Sequence, residues 1–357
     1  MTKITQQTIG IDVAQKELVS TFSQRNEHSE IIIVGHKIFS NNPKGFKELI
    51  NWQKKLNLEN LSLEFVMEAT GVYHENAALF LHTNGFNVKI VLPNKAMHFQ
   101  KTLDIKTITD KTSANALAQM GLEKKLDNWE PPHEVYNTLK QLSRERNQLI
   151  DEQTVIKNQI HAEKSGAWIN ENSIKRMKKR LSLIKNQIVE TISDMQALVK
   201  KEPWLHTKLK YICSIPGVGF LTAVTVVAET NGFNLIRNKR QVVSYAGLDV
   251  IVKDSGTSVK SKPRISRRGN KYLRKAMHFP ALAAIRNNDT MKDIFKRIVI
   301  KNGIKMKAIV AVQRKQLELI YTLWKKEEMF NTEFTQEQEN SKKIEQATKA
   351  LALTELA

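Results

Sequence analysis

The chain has 357 residues, enough for two or three domains, and its 56 Lys and Arg against 36 Asp and Glu leave a formal net charge of +20. A single cysteine, Cys213, excludes a disulfide framework and any multi-cysteine zinc site, while 41% hydrophobic residues exclude a wholly disordered chain. The longest apolar stretches, such as 220–228, fall far short of the roughly 20 residues that cross a bilayer, and the first residues lack a secretory apolar core, so a cytoplasmic protein without a membrane partner is expected.

The first 125 residues alternate in type. Residues 8–13, 17–22 and 30–39 read as strands, from β-branched runs divided by short polar breaks. Asn41-Asn42-Pro43 opens a helix, with Phe46, Leu49, Ile50 and Trp52 at helical spacing. A fourth strand over 61–67, a helix over 74–83, a fifth strand over 87–92 and helical pieces over 94–102 and 110–124 follow. Three hairpin-like strands followed by alternating helices and strands predict an α/β mixed sheet covered by helices.

Trp129-Glu130-Pro131-Pro132 ends that pattern. Val135, Leu139, Leu142, Arg146, Leu149, Gln153, Ile156 and Ile160 then step by four and three. After a break near Gly166, Ile174, Met177, Leu181, Ile184, Ile188, Met195 and Leu198 resume it, with Thr191 at the skipped position. These heptads predict two long helices folded back as an antiparallel coiled coil. Polar Arg146 and Gln153 on the seam either set register, meet a partner chain, or sit at its edge with their tips in solvent.

Beyond Trp204 the chain reads as mostly helical, with apolar segments at 220–228, 272–285 and 304–324. The expected division is therefore 1–128, 129–203, 204–326, and a tail over 327–357 with seven Glu against three Lys and a composition suited to disorder.

The candidate chemistry lies in four places. Asp12 ends the first strand and Glu68 the fourth, so if those strands are neighbours the carboxylates meet at one sheet edge; Asp110 opens a later helix that can lie beside them. Carboxylates without a histidine cluster suit a hard cation such as Mg²⁺. Singly, each also reads as an ordinary turn or capping residue. Ile215-Pro216-Gly217-Val218-Gly219 before an apolar helix resembles a helix-hairpin-helix turn, where Gly217 and Gly219 let backbone approach a phosphate; a plain tight turn is the alternative. Lys260, Lys262, Arg264, Arg267, Arg268, Lys271, Arg274 and Lys275 form a basic run with no acid among them, the pattern of a phosphate-gripping surface. Just before it stands Ser255, one serine among many, in a loop where a hydroxyl can attack a phosphodiester.

Taken in order, these pieces resemble the IS110-type transposases, the DEDD recombinases of bacterial insertion sequences, from about Ile9 to about Ile285. The resemblance rests on Gly10-Ile11-Asp12, Glu68-Ala69-Thr70-Gly71-Val72-Tyr73, Thr109-Asp110-Lys111, Ile215 to Gly219, Ser244-Tyr245-Ala246-Gly247-Leu248, Ser255-Gly256 and Arg268-Gly269-Asn270-Lys271-Tyr272-Leu273-Arg274. It implies a RuvC-like, RNase H-type N-terminal domain, a coiled-coil linker and a C-terminal transposase domain. It also implies Mg²⁺ on Asp12, Glu68 and Asp110, and Ser255 as a nucleophile that joins DNA covalently. The implied partners are DNA, a noncoding bridge RNA encoded by the element, and further copies of the chain in a homo-oligomer. The family pattern places a fourth acid where this chain has Ser113, and Asp104 nearby is out of register with the flanking match. A neutral hydroxyl binds a metal more weakly than a carboxylate does, though it can still hold a metal-bound water by hydrogen bonding. Two other readings stay open: a metal-only nuclease or junction resolvase using water, and a nucleic-acid-binding copy disabled at Ser113.

Overall fold

The computed structural model describes residues 3–331, apart from 59–60, 70, 104, 106, 235, 253, 256–258 and 261–262, and at 254–255 and 259–260 it describes the backbone alone. The tail expected over 327–357 thus lies outside the described residues beyond Asn331. The chain divides into two compact units, Met1–Pro131 and Pro132–Ala357.

The first unit contains β1 (Ile4–Val13), β2 (Glu17–Asn26), β3 (Ile31–Ser40), α1 (Pro43–Leu56), β4 (Leu63–Glu68), α2 (Glu75–Thr83), β5 (Asn87–Val91), α3 (Pro93–Gln100) and α4 (Asp110–Glu123). Its sheet runs β3-β2-β1-β4-β5. β2 is antiparallel to β1 and β3, whereas β1–β4 and β4–β5 are parallel. This mixed five-strand order is the RNase H-type arrangement implied by the resemblance. β1 is the middle strand, and its residues Gln7 to Ile11 are buried, as a strand covered on both faces must be. Period-two alternation then assigns the faces. Ile9, Ile11, Phe65 and Met67 join one core with Phe46 and Leu49 of α1 and Leu81 of α2. Val66 joins the other, with Phe99 of α3 and Leu117 and Met120 of α4. α1 starts where its sequence says it should: the Asn42 side chain accepts from Gly45 N–H, and Pro43 occupies the first turn, where no N–H is needed. Trp129 closes the unit, its N–H bonding Val88 O at 2.7 Å.

In the second unit α5 (Glu134–Ser165) and α6 (Glu171–Lys201) are the two long helices. Val135 and Leu139 near the start of α5 pack with Met195 and Val199 near the end of α6. Leu149 and Ile156 pack with Ile174, Met177 and Ile184. The pair is therefore antiparallel, as the heptads predict. The seam skips Arg146 and Gln153 differently. Gln153 accepts from Lys157 at 2.9 Å in solvent, whereas the Arg146 Nε is buried without a hydrogen-bond partner.

Then come α7 (Pro203–Cys213), α8 (Phe220–Glu229) and α9 (Lys239–Tyr245), the two-residue strands β6 (Val250–Ile251), β7 (Asp254–Ser255), β8 (Val259–Lys260) and β9 (Arg264–Ile265), and α10 (Lys271–Ala276), α11 (His278–Asn287), α12 (Asp289–Asn302) and α13 (Lys305–Lys326). β6 pairs with β9, and β7 with β8. The helix expected over 272–285 is two helices that meet at Met277. Pro280 explains the break, because its ring opposes the carbonyl four residues back, at Ala276. Apolar residues of α7, α8, α9 and α13 build one core with the base of the α5–α6 pair.

Candidate catalytic sites in two units

Asp12 and Glu68 are brought together by register. β1 and β4 run parallel with Gly10 opposite Val66 and Ile11 opposite Met67, so Asp12 and Glu68 come level one step later. Both fall on the same sheet face: Asp12 follows Gly10 by two residues, and Glu68 follows Val66 by two. That face is the one α4 covers.

α4 is seated by small residues. A Cβ on Gly10 would come to 2.9 Å from Ala118 Cα and closer still to Ala114 O and Ala118 N, so backbone lies against backbone there. A Cβ on Gly121 would meet methyls of Thr8 and Val66 at 2.6 and 2.8 Å. Polar clamps add to this, with Thr21 Oγ1 donating to Asn115 Oδ1 at 2.6 Å and Arg25 to Leu122 O at 3.1 Å. The helix starts sharply, through a capping box in which Thr109 and Thr112 side chains satisfy each other's backbone N–H groups. Asp110, in the first turn, faces Asp12 closely enough to act on it electrically.

The Asp12 carboxyl is pushed up to about 6, first by burial, then by the charge of Asp110, then by that of Glu68; a hydrogen bond from Val13 N–H opposes the shift. The charges of Asp110 and Glu68 both act on half-buried Asp12, a repulsion that a cation would relieve. Among the described residues, no group of three or more His, Cys, Asp or Glu side chains is already drawn in as a metal cage. The donor set is all oxygen, which is the chemistry Mg²⁺ selects. Ser113 lies one turn beyond Asp110 on the same helix face, and its Oγ accepts from Gln100 Nε2 at 3.4 Å. Asp104 lies outside the described residues.

In the second unit the Ser255 side chain, Gly256 and the side chains of Lys260 and Lys262 lie outside the described residues. Arg264, Arg267, Arg268 and Lys271 are exposed. Two of the expected phosphate grips are engaged internally. Arg274 donates to Ala246 O at 2.8 Å and Gly269 O at 3.2 Å, and Lys275 pairs with Asp151 at 2.7 Å. The glycines of the 215–219 turn also divide. Gly217 has φ +86, and a Cβ there would reach 2.9 Å from Pro280 O and 3.0 Å from Ala283 Cβ. It is needed for packing on α11 instead of approach to a phosphate. Gly219 has open space around it and caps α8 without a side-chain partner.

A network that joins Tyr245, Asn270 and Tyr272 of the motifs to Arg144 and Glu229 outside them holds the basic segment. Glu229, at the end of apolar α8, has a side chain only 1% exposed, and Arg144 of α5 grips both its oxygens at 2.7 and 2.9 Å. Asn270 donates to Glu229 at 2.6 Å, while its oxygen caps α10 through Tyr272 and Leu273 N–H. Tyr245 bonds Glu229 O, and Tyr272 lies under the Arg144 guanidinium at 4.7 Å. For Glu229 the signal in the sequence is an acid closing an apolar run, and Arg144 has none.

The family model described as "Transposase", for the DEDD transposases of the IS110 type, matches residues 9–163. A second, "Transposase IS116/IS110/IS902 family", matches residues 209–296. The chain belongs to the IS110 family of transposases. Its curated relatives include the pilin gene-inverting protein of Moraxella bovis, 27% identical over 331 residues, covering 90% of this chain and 97% of that one. They also include the transposase for insertion sequence element IS1111A of Coxiella burnetii, 28% identical over 161 residues, covering 43% and 44%. Among solved structures, T. thermophilus RuvC in complex with a Holliday junction substrate is 9% identical, with a TM-score of 0.28, and covers 35% of this chain and 100% of that one. The fold of this transposase rests on its own strand order and pairing directions. No helix among the described residues is long and apolar enough to cross a membrane.

Proposed function

We propose that this insertion-sequence transposase cuts and exchanges DNA strands through Ser255, with Asp12, Glu68 and Asp110 holding Mg²⁺, directed by a bridge RNA from its own element. The observation that supports it most is the acidic face: two strand ends and a helix start, on one side of one sheet, bring Glu68 and Asp110 close enough to act on Asp12. Mg²⁺ bound there would neutralise charge on a phosphoryl group in flight. Asp12, Glu68 and Asp110 would hold it, and the Ser113 hydroxyl could hydrogen-bond a water bound to it. In the covalent step the serine hydroxyl loses its proton, forms an ester to phosphorus and displaces one sugar oxygen, which leaves as a hydroxyl. Rejoining reverses this with another strand's hydroxyl. Exposed Arg264, Arg267, Arg268 and Lys271 supply positive charge for the phosphates.

The proposed organisation is 1–128 RuvC-like, 129–203 coiled coil, 204–326 with the serine, and an acidic tail. The oligomer is proposed to form through the coil. Val155, Leu183 and Val189, 54%, 58% and 66% exposed, are apolar positions on its outside that support such an interface.

The test is excision of the complete element in cells, read as circle-junction formation, together with capture of a protein–DNA adduct on denaturing gels. Wild type is expected to give both and Ser255→Ala neither. Junctions at the wild-type rate in Ser255→Ala would refute the serine mechanism and leave a water-using nuclease. Activity appearing only in Ser113→Asp would mark this copy as disabled at its fourth ligand.

A further inference from the structure

We infer that the tip of the α5–α6 hairpin is a nucleic-acid contact of its own, made for a strand with an unstacked base. The distal half of the hairpin has a small core drawn from these two helices alone. Around it lie eight basic residues against two acids between Lys157 and Ile188, a net of +6. Five of them crowd into six positions: Lys175, Arg176, Lys178, Lys179 and Arg180. Met177 between them is buried against α5, so the five take the outer face of α6, and all are exposed. Among the described residues none of the five has an ion-pair partner. That contrasts with Lys275, whose charge Asp151 neutralises.

The second observation is Trp168, in the turn between the helices and 93% exposed. Beside it opens a shallow concavity lined by Gln159, Ala162, Glu163, Gly166 and Met177. An indole left in water costs solvation free energy unless a partner covers it. A base laid on the ring would gain stacking, with the amide of Gln159 and the carboxylate of Glu163 near its edge. Meanwhile the α6 cations track the adjoining phosphates, the combination by which single strands are held. Charge complementarity selects this occupant over a second copy of a chain whose net charge is +20. The site goes beyond the chemistry proposed above and depends on neither Ser255 nor the acidic face.

The experiment uses the full chain and fluorescence anisotropy with labelled single-stranded DNA, single-stranded RNA and duplex DNA across a salt series. Binding is read without cleavage, so failure of the proposed strand-exchange chemistry leaves the result untouched. The Lys178→Gln/Lys179→Gln/Arg180→Gln variant is expected to bind single strands about tenfold more weakly at low salt, with the log–log salt slope reduced by about 2. Trp168→Ala is expected to lose roughly five- to a hundredfold on single strands and little on duplex. Lys200→Gln/Lys201→Gln, at the exposed far end of α6, removes two charges away from the tip and is the control, and thermal melting checks folding. The relative losses on DNA and RNA probes identify which strand the tip prefers. Unchanged single-strand affinity in either tip variant overturns the inference, as does an equal loss in the control. A Trp168→Ala variant that changes only the sedimenting mass also overturns it, by assigning the tip to a second copy.

Discussion

Gly10→Ala should damage the acidic face without touching an acid. The added Cβ would sit 2.9 Å from Ala118 Cα and closer to two further backbone atoms of α4, where ordinary contact begins at 3.4 Å. Neither partner is a flexible side chain, so α4 must lift from β1 by about 1 Å, and Gly121 and Asn115 must lose their contacts with it. Overpacking of this kind costs about 3 kcal/mol, which lowers the melting midpoint by roughly 10 °C. The lift also carries Asp110 away from Asp12. A misplacement of that size costs about a hundredfold in rate. Gly85→Ala is the comparison: with φ +82 and nothing within 4 Å, it strains the backbone but crowds nothing. It should lose about 1 kcal/mol and keep its activity. The assays are thermal melting and element excision. Wild-type melting and wild-type excision in Gly10→Ala would refute the seating of α4 through Gly10.

Arg144→Met leaves the buried Glu229 carboxylate with Asn270 as its remaining side-chain donor. Discounted because Arg144 is 39% exposed, the loss should be about 2 kcal/mol by urea unfolding, and a loss below about 0.5 would refute the pairing. The raised Asp12 carboxyl has a definite sign. Folding favours its neutral form, so the stability it contributes is present below about pH 4 and lost as pH rises through about 6. In EDTA, Asp12→Asn should therefore be more stable than wild type at pH 8, by about 2 kcal/mol, with the gap closing by pH 4. An equal gap at both values would refute it. Mg²⁺ should raise the melting midpoint of wild type at pH 8 more than that of Asp12→Asn, and equal shifts would remove the ion from this face.

Local signals made much of the fold legible. Asn42-Pro43 starts α1, Thr109 and Thr112 start α4, and the heptads predict both long helices, because caps and periodicity depend on neighbours in the chain. Strand ends were less legible. β1 begins at Ile4, four residues before the β-branched run at 8–13, because pairing with β2 continues to Asn26. α7, α9 and α12 escaped notice, and the break at Met277 needed Pro280 to be weighed against an apolar run.

By itself the sequence determined the alternation of Ile9, Gly10, Ile11 and Asp12, the pairing of helix caps, the heptads and the excess of positive charge. These are one-dimensional properties that any conformation inherits. Only the tertiary structure decided that β1 and β4 are neighbours in parallel register, which brings Asp12 and Glu68 level at one sheet edge. It alone engaged Arg274 with backbone carbonyls and paired exposed Lys275 with Asp151, and left Arg264 and Lys271 outward. It alone placed Arg144, Glu229 and Asn270 together across the second unit. The reason is range: periodicity is set within a few residues, whereas these contacts join residues from 28 to 124 positions apart, and their partners exist only once the chain has packed.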